Sequence, residues 1–399
     1  MAESSAHFDG EFRPHTKHKH LIFKTYLDAW LRKLSLGEHG RDRLFIVDAF
    51  AGAGSDAAGN PGSPVLAARA ARDAIAQLRS QFGRSVHVQL IAVEENSTRL
   101  TQLAEALSEF PHVRILAGTF EEHLPAIQRE IADSPALYFV DPFGVSLPGE
   151  LILDVLAKPK NEVFLLFADQ AALRHFGVIN ASETRATQQL RRHENHAPSL
   201  FPEMEVAERK PLEEKARRSE KSLAATKRAA REKLDAALRG PDWLVRVEAV
   251  PAKERRREFL RLYREMLSEQ ARWVLEIPMV NEEGVHVYSL LHATKSATGY
   301  VTMKAAVRYA LEHSPLPSRV VDDLSSRLSV PLEAVVHFVL RRFAGQQVRW
   351  TESNDDRNAP SVRRAVLEDT EIYPFQLPEL QDALRQYRLP GRAIVYKFP

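Results

Sequence analysis

Apolar side chains in this chain follow two rhythms, one helical and one of short unbroken runs. From Thr16 to Leu34, the positions Phe23, Tyr26, Leu27, Trp30, Leu31 and Leu34 recur three or four residues apart. This spacing predicts a helix with Thr16 as its N-cap and Gly37 as its terminating glycine. The run RLFIVDAF is short, apolar and rich in aromatic and β-branched residues, which predicts a buried strand. Beyond the glycine-rich AGAGSDAAGNPG, Ser63 and Pro64 suit the N-cap and first position of a second helix. Its apolar side runs Ala71, Ile75, Leu78, Phe82, with Gly83 just past the end.

The alternation continues with HVQLIAVEE, a helix from Ser97 to Leu107, VRILAG, a helix around Glu121 to Ala132, ALYFVDPFG, a helix near Pro148 to Leu156, and EVFLLFAD. Strands separated by helices imply a parallel, doubly wound α/β sheet. A long charged stretch, Ser182 to Glu269, follows; then RWVLEIPMV and VHVYSLLHA, joined by Asn281 to Gly284, read as an antiparallel hairpin. A parallel sheet finished by such a hairpin is the Rossmann-like build of class I methyltransferases rather than of dehydrogenases. The expected organisation is a first part of that core over residues 1–181, a charged helical insertion over 182–269, completion of the core over 270–313, and a C-terminal domain over 314–399. That last domain has the order of a winged helix: SRVVDDLSSRL, PLEAVVHFVLRRF, then QQVRWTES and SVRRAVLED as a ribbon, with a last helix near Pro378 to Tyr387.

Composition narrows the chemistry. At 399 residues with a formal net charge of +2, the chain is long enough for two or three domains and carries no overall nucleic-acid signature. Cysteine is absent, which excludes disulfides and thiolate chemistry in this chain. No apolar run reaches membrane length and the polar start lacks a signal-peptide core, so a cytoplasmic protein without a membrane partner is expected.

The strand ends carry the candidate chemistry. Asp48 ends the first strand, and Phe50, Gly52 and Gly54 follow in a loop that leads to a helix N-terminus, where main-chain N–H groups converge. A dinucleotide fingerprint would need a third glycine at position 57; Ala57 stands there and Gly59 is out of step. No Lys-Ser or Lys-Thr follows, so there is no phosphate-cradling P-loop either. Glu94 ends the second strand, where a carboxylate can accept hydrogen bonds from both hydroxyls of a ribose. Thr119 and Phe120 follow the third strand and are expected beside an adenine; Asp141, Pro142 and Phe143 follow the fourth. Together these residues suit S-adenosylmethionine as the cofactor.

HTKHKHLIFKTYLDAW, VDAFAGAG with GSP behind it, VDPFG, and YSLLHATKSATGYVTMKAAV stand in an order and spacing that resemble the three-Cys-motif partner protein family, TcmP. The resemblance runs from about His15 to Tyr309. It implies a divergent class I methyltransferase fold and a partner, a three-Cys-motif protein encoded nearby, and it names no substrate. In the pattern of that family, Thr16 and Lys19 open a helix that folds over the cofactor, with Lys19 toward the methionine carboxylate.

Asp141-Pro142-Phe143 is the candidate catalytic motif. Methyltransferases acting on base amines use Asp or Asn, two prolines and an aromatic ring that stacks on the flipped base. Here Phe143 comes one place early and Gly144 takes the aromatic position. His15, His18 and His20 lack a nearby carboxylate and read as a basic helix start rather than a zinc site. Tyr26 and Trp30 read as core. His286 and His292 flank the hairpin, and nothing identifies either as a base. Residues 209–264 hold 18 Lys or Arg against 9 Asp or Glu, and Arg255, Arg256 and Arg257 in that stretch are candidates for contacting RNA or DNA phosphates. Two functions remain open: a methyltransferase acting on nucleic acid or on a substrate presented by the partner, and a catalytically silent module of the same fold that binds the partner.

Overall fold

A computed structural model describes residues 10–37, 40–142, 144–145, 147–181, 188, 202–351, 361–390 and 394–399. Helix α1 (Pro14–Leu36) begins earlier than its apolar pattern predicts, because Pro14 takes the first turn, where a missing N–H is harmless. Thr16 is therefore inside the helix, and Arg13 precedes it without a side-chain cap. Gly37 does end α1, in extended rather than left-handed backbone.

Strands and helices then alternate: β1 (Arg43–Asp48), α2 (Ser63–Phe82), β2 (His87–Glu94), α3 (Ser97–Leu107), β3 (Val113–Ala117), α4 (Phe120–Ile131), β4 (Ala136–Val140), α5 (Gly149–Ala157) and β5 (Asn161–Phe167). Gly62 caps α2, which moves Ser63 one place inside, and Gly83 closes it at φ 63°. Phe82 is 53% exposed; the buried stripe of α2 ends a turn earlier, at Leu78.

The helices α6 (Asp169–Ile179), α7 (Pro202–Ala237), α8 (Trp243–Ala249) and α9 (Arg255–Ser268) follow among the described residues. The hairpin β6 (Trp273–Val280) and β7 (His286–Thr294) then completes a seven-stranded sheet in the order β3-β2-β1-β4-β5-β7-β6. The pairs among β1 to β5 are parallel, and β6 is antiparallel to β7. The arrangement is Rossmann-like. Because β1 pairs with β2 on one side and β4 on the other, the order reverses at β1, and such a reversal opens a crevice at the carboxyl ends of the strands.

By its internal contacts the chain divides into two compact units, Met1–Pro142 with Ile152–Leu166 and Leu267–Pro399, and Phe143–Leu151 with Phe167–Met266. In the first, Phe23, Leu27 and Leu31 of α1 share a core with Leu275 and Ile277 of β6 and with Met303, Val307 and Ala310 of α10 (Ala297–Glu312). The second has its own aromatic centre: Trp243 lies 5.6 Å from Phe259 and 6.3 Å from Phe176, ring centre to ring centre.

The C-terminal stretch holds α11 (Ser318–Leu328), α12 (Leu332–Arg342), β8 (Gln347–Arg349), α13 (Val362–Asp369), α14 (Leu377–Ala383) and β9 (Val395–Lys397). The predicted ribbon is only half right. β8 pairs antiparallel with β9, at the end of the chain, while SVRRAVLED forms helix α13. Val362 and Val366 are both buried four residues apart, a helical repeat, and the Ser361 hydroxyl accepts the Arg364 N–H as an N-cap. Residues 352–360 of the predicted ribbon lie outside the described residues. Val320, Leu324 and Leu328 of α11 join the main core, whereas α12 and α13 meet in a second apolar cluster around Val339, Val366 and Tyr396. Among the described residues, no helix is long and apolar enough to cross a membrane.

One buried cation ties the two clusters. Lys304 of α10 is fully buried over the Tyr300 ring, and its Nζ donates to the carbonyls of Leu367 (2.9 Å) and Thr370 (2.6 Å) at the end of α13. Burial lowers its pKa to about 7. Lys304→Met keeps the apolar stem and orphans both carbonyls, so it is expected to cost about 2 kcal/mol in a urea titration. An unchanged midpoint would reduce Lys304 to a space-filler.

Candidate functional site

Acids stand at three neighbouring strand ends: Asp48 on β1, Glu94 on β2, and Asp141 just after β4. The loop from β1 to α2 passes between them. Ala51 N–H donates to the Val93 carbonyl (2.9 Å), anchoring the loop to β2, and Gly62 N–H donates to the Gly54 carbonyl (2.7 Å), closing it. Gly52 and Gly54 have φ of 64° and 86°, which L side chains rarely adopt. A Cβ on Gly54 would also sit 2.9 Å from the Ala106 Cβ of α3.

Asp56 holds this loop from within, although sequence reasoning passed it over. Its buried carboxylate accepts the N–H groups of Asn60 (2.8 Å) and Ala58 (3.0 Å), the Asn60 Nδ2 (2.7 Å), and the Phe12 N–H (2.7 Å). Burial pushes its pKa up, but these donors outweigh it and hold the group below the usual range. The available signal was the Asp-Ala-Ala-Gly-Asn run, an Asx-turn pattern.

Glu94 is buried and already bonded: Oε2 accepts the Gly52 N–H and Oε1 the Asn96 N–H, both at 2.8 Å. It thus splints the glycine loop to β2, and each oxygen retains a second lone pair for a ribose hydroxyl. Thr119 is committed to a capping box with Glu122 at the start of α4. Phe120 is 2% exposed with its ring edge-on to Tyr138, so it belongs to the core; Phe50, half-buried 6.5 Å from it, is the more accessible ring.

Asp48, Lys19 and Asp141 form a coupled trio. Lys19 is buried on α1 and makes an ion pair with Asp141; Thr16 lies one turn earlier on the same helix. Asp48 is fully buried and accepts a long 3.3 Å bond from the Phe50 N–H at Oδ1, while Oδ2 has no close hydrogen-bond partner among the described residues. Burial pushes its carboxyl up to about 7; the Ser63 hydroxyl, the Phe50 N–H and Lys19 pull downward, and Asp141 adds to the rise. The buried Tyr288 hydroxyl of β7 likewise has no hydrogen-bond partner among the described residues. Its pKa is raised well above the ordinary value by burial and by the Asp141 charge. Pro142 is buried beside this group, and Phe143 lies outside the described residues.

The histidines separate. His18 is buried against the Ser314 hydroxyl (3.0 Å), and burial lowers its pKa to about 4. His20 packs edge-on against Phe12 at 5.1 Å. Among the described residues, no group of three or more His, Cys, Asp or Glu is placed to hold a metal. His286 is half-buried; His292 is fully buried and bonds the Glu162 carboxylate at 3.1 Å.

The arginine trio is not one surface. Arg255 lies over the Phe176 ring at 4.9 Å, Arg256 donates to the buried Asp169 at 3.1 Å, and Arg257 is exposed. Two of the three thus hold the helical unit together. Exposed cations of the basic stretch stand instead along α7, at Lys215, Arg217, Lys221, Arg228 and Lys233.

In comparisons with known proteins, no family model matches the chain and no curated protein matches it.

Proposed function

We propose that the chain is an S-adenosylmethionine-dependent methyltransferase acting on nucleic acid or on a substrate presented by a three-Cys-motif partner protein. One observation carries this reading: buried acids flank a glycine loop at the point where the order of a seven-stranded sheet reverses, and an antiparallel hairpin ends that sheet. Strand order β3-β2-β1-β4-β5-β7-β6 is the class I methyltransferase order, and ligands of open α/β sheets bind at such a reversal. The residues fit the cofactor on a second count. Asp48 Oδ2 and the Tyr288 hydroxyl are buried polar atoms lacking close partners among the described residues, a costly condition that a polar ligand would relieve.

Lys19, Asp48, Phe50, Gly52, Gly54 and Glu94 would hold the cofactor, which supplies an electrophilic methyl group. Thr119 and Phe120 would contribute through the wall they build rather than by direct contact. Asp141 would orient the acceptor. Its pairing with Lys19 makes the two roles interdependent, since Lys19 cannot turn fully to a methionine carboxylate without loosening Asp141. The cations along α7 suit a phosphodiester backbone. The silent-module reading rests on a specific departure, Gly144 where an aromatic ring would stack on a base.

Calorimetry with S-adenosylmethionine tests the cofactor. Wild type is expected to bind, and Glu94→Ala to weaken binding by about 1.5–3 kcal/mol, the value of charged hydrogen bonds. A wild type that binds nothing at millimolar ligand would end the cofactor reading.

A further inference from the structure

A cavity of about 550 Å³ lies among α1, the start of α10 and α13, and its walls include Glu162 at the amino end of β5. The acids of the candidate cofactor site stand at the carboxyl ends of parallel β1 and β2, the opposite edge of the sheet. The two sites are therefore distinct.

The charged walls of this cavity are mostly cationic, and its second acid, Glu368, is paired with Arg364 at 2.9 Å. Arg32 and Arg363 line it, and among the described residues neither has a hydrogen bond or an ion pair; Lys33 gives its Nζ only to the neutral Thr302 hydroxyl at 2.7 Å. Glu162 is buried to 7% exposure, bonded to the Tyr26 hydroxyl, to Trp30 Nε1 at 3.3 Å and to His292 Nε2 at 3.1 Å. Gly299 makes room for this carboxylate, since a Cβ there would stand 2.9 Å from Oε2. Oε1 has one long bond and spare acceptor capacity. Trp30 and Leu367 supply apolar wall.

We propose that this cavity binds a nucleoside phosphate. Cations without partners among the described residues, Arg32 exposed and Arg363 half-buried, call for an anion, as Arg fits phosphate in a bidentate fork. A buried carboxylate repels an ion that is anionic throughout, so the opposite end of the ligand must present N–H donors. The volume suits a mononucleotide-sized body. A phosphate joined through a sugar to an amino-bearing base meets all three demands, and inorganic phosphate or a dicarboxylate meets only the first.

The test is equilibrium binding of AMP, GMP, CMP, UMP and inorganic phosphate to the full chain, read by calorimetry and by Trp fluorescence. At least one nucleotide is expected to bind below millimolar, at least tenfold tighter than inorganic phosphate. Arg32→Glu with Arg363→Glu, which removes one exposed and one half-buried cation and no hydrogen bond among the described residues, should weaken that nucleotide at least tenfold with an unchanged melting temperature. Binding should persist in Glu94→Ala, which separates this site from the cofactor site. Failure of every nucleotide at millimolar concentration, equal binding of inorganic phosphate, retention of affinity in the charge-reversed variant, or loss of binding in Glu94→Ala would each overturn the assignment.

Discussion

Replacing Asp48 with Asn is expected to stabilise the protein, by an amount that grows with pH. Burial raises the native carboxyl from 3.8 to about 7, so between those values the folded state holds a proton that the unfolded state has released. Stability from this group is thus complete below about pH 4 and is lost as pH rises through about 7. At about 1.4 kcal/mol for each tenfold change in proton affinity, the full loss is roughly 4 kcal/mol. The Asp48→Asn variant has no such loss. Its melting temperature relative to wild type should rise between pH 5 and pH 8, while S-adenosylmethionine binding, read by calorimetry, should weaken. A difference in melting temperature that stays flat across that range would mean that Asp48 is ionised throughout.

Asp141→Asn is expected to separate binding from chemistry. The substitution keeps size and one acceptor oxygen while breaking the ion pair with Lys19. Lys19, released, can turn to an incoming carboxylate, so cofactor affinity should stay within about tenfold, roughly 1.4 kcal/mol. Methyl transfer should fall about a hundredfold or more, as when a positioned acid or base is removed. The assay uses a tritiated methyl donor, extract from cells lacking the protein, and the three-Cys partner added back. Equal labelling by wild type and variant would remove Asp141 from the reaction. No labelling of RNA, DNA or protein by a cofactor-binding wild type would favour the silent module.

The strands were legible because their signal is local. Apolar runs such as RLFIVDAF and ALYFVDPFG are bounded by glycine, proline and helical periods, and every strand of the large sheet begins within one residue of its run, although β4 stops at Val140, four residues short of Gly144. Acids at strand ends were legible for the same reason. Glu162 was not, since its partners Tyr26 and His292 stand 136 and 130 residues away and only the fold joins them. An acid at the mouth of the apolar run NEVFLLF was the one hint. Phe120 and Thr119 were placed at the right strand end but read as ligand contacts; a capping box and a core ring explain them without a ligand. SVRRAVLED was misread because so short a segment fits both periods, and burial of Val362 with Val366 decides for the helix.

Helix α1 and helix α10 cover one another, yet they are far apart in the order of synthesis. α1 is complete at Leu36, and α10 only at Glu312, some 276 residues later. At about 5–20 residues per second, a ribosome takes roughly 14–55 s to make that interval. During that time α1 can lie on α2, and Phe23 on Phe139 and Phe164 of the sheet, but the side of α1 that meets α10 stays bare. The nascent chain thus carries one bare apolar face of α1 through most of its own synthesis, and chaperone demand should track elongation rate more steeply than it tracks the stability of the finished protein.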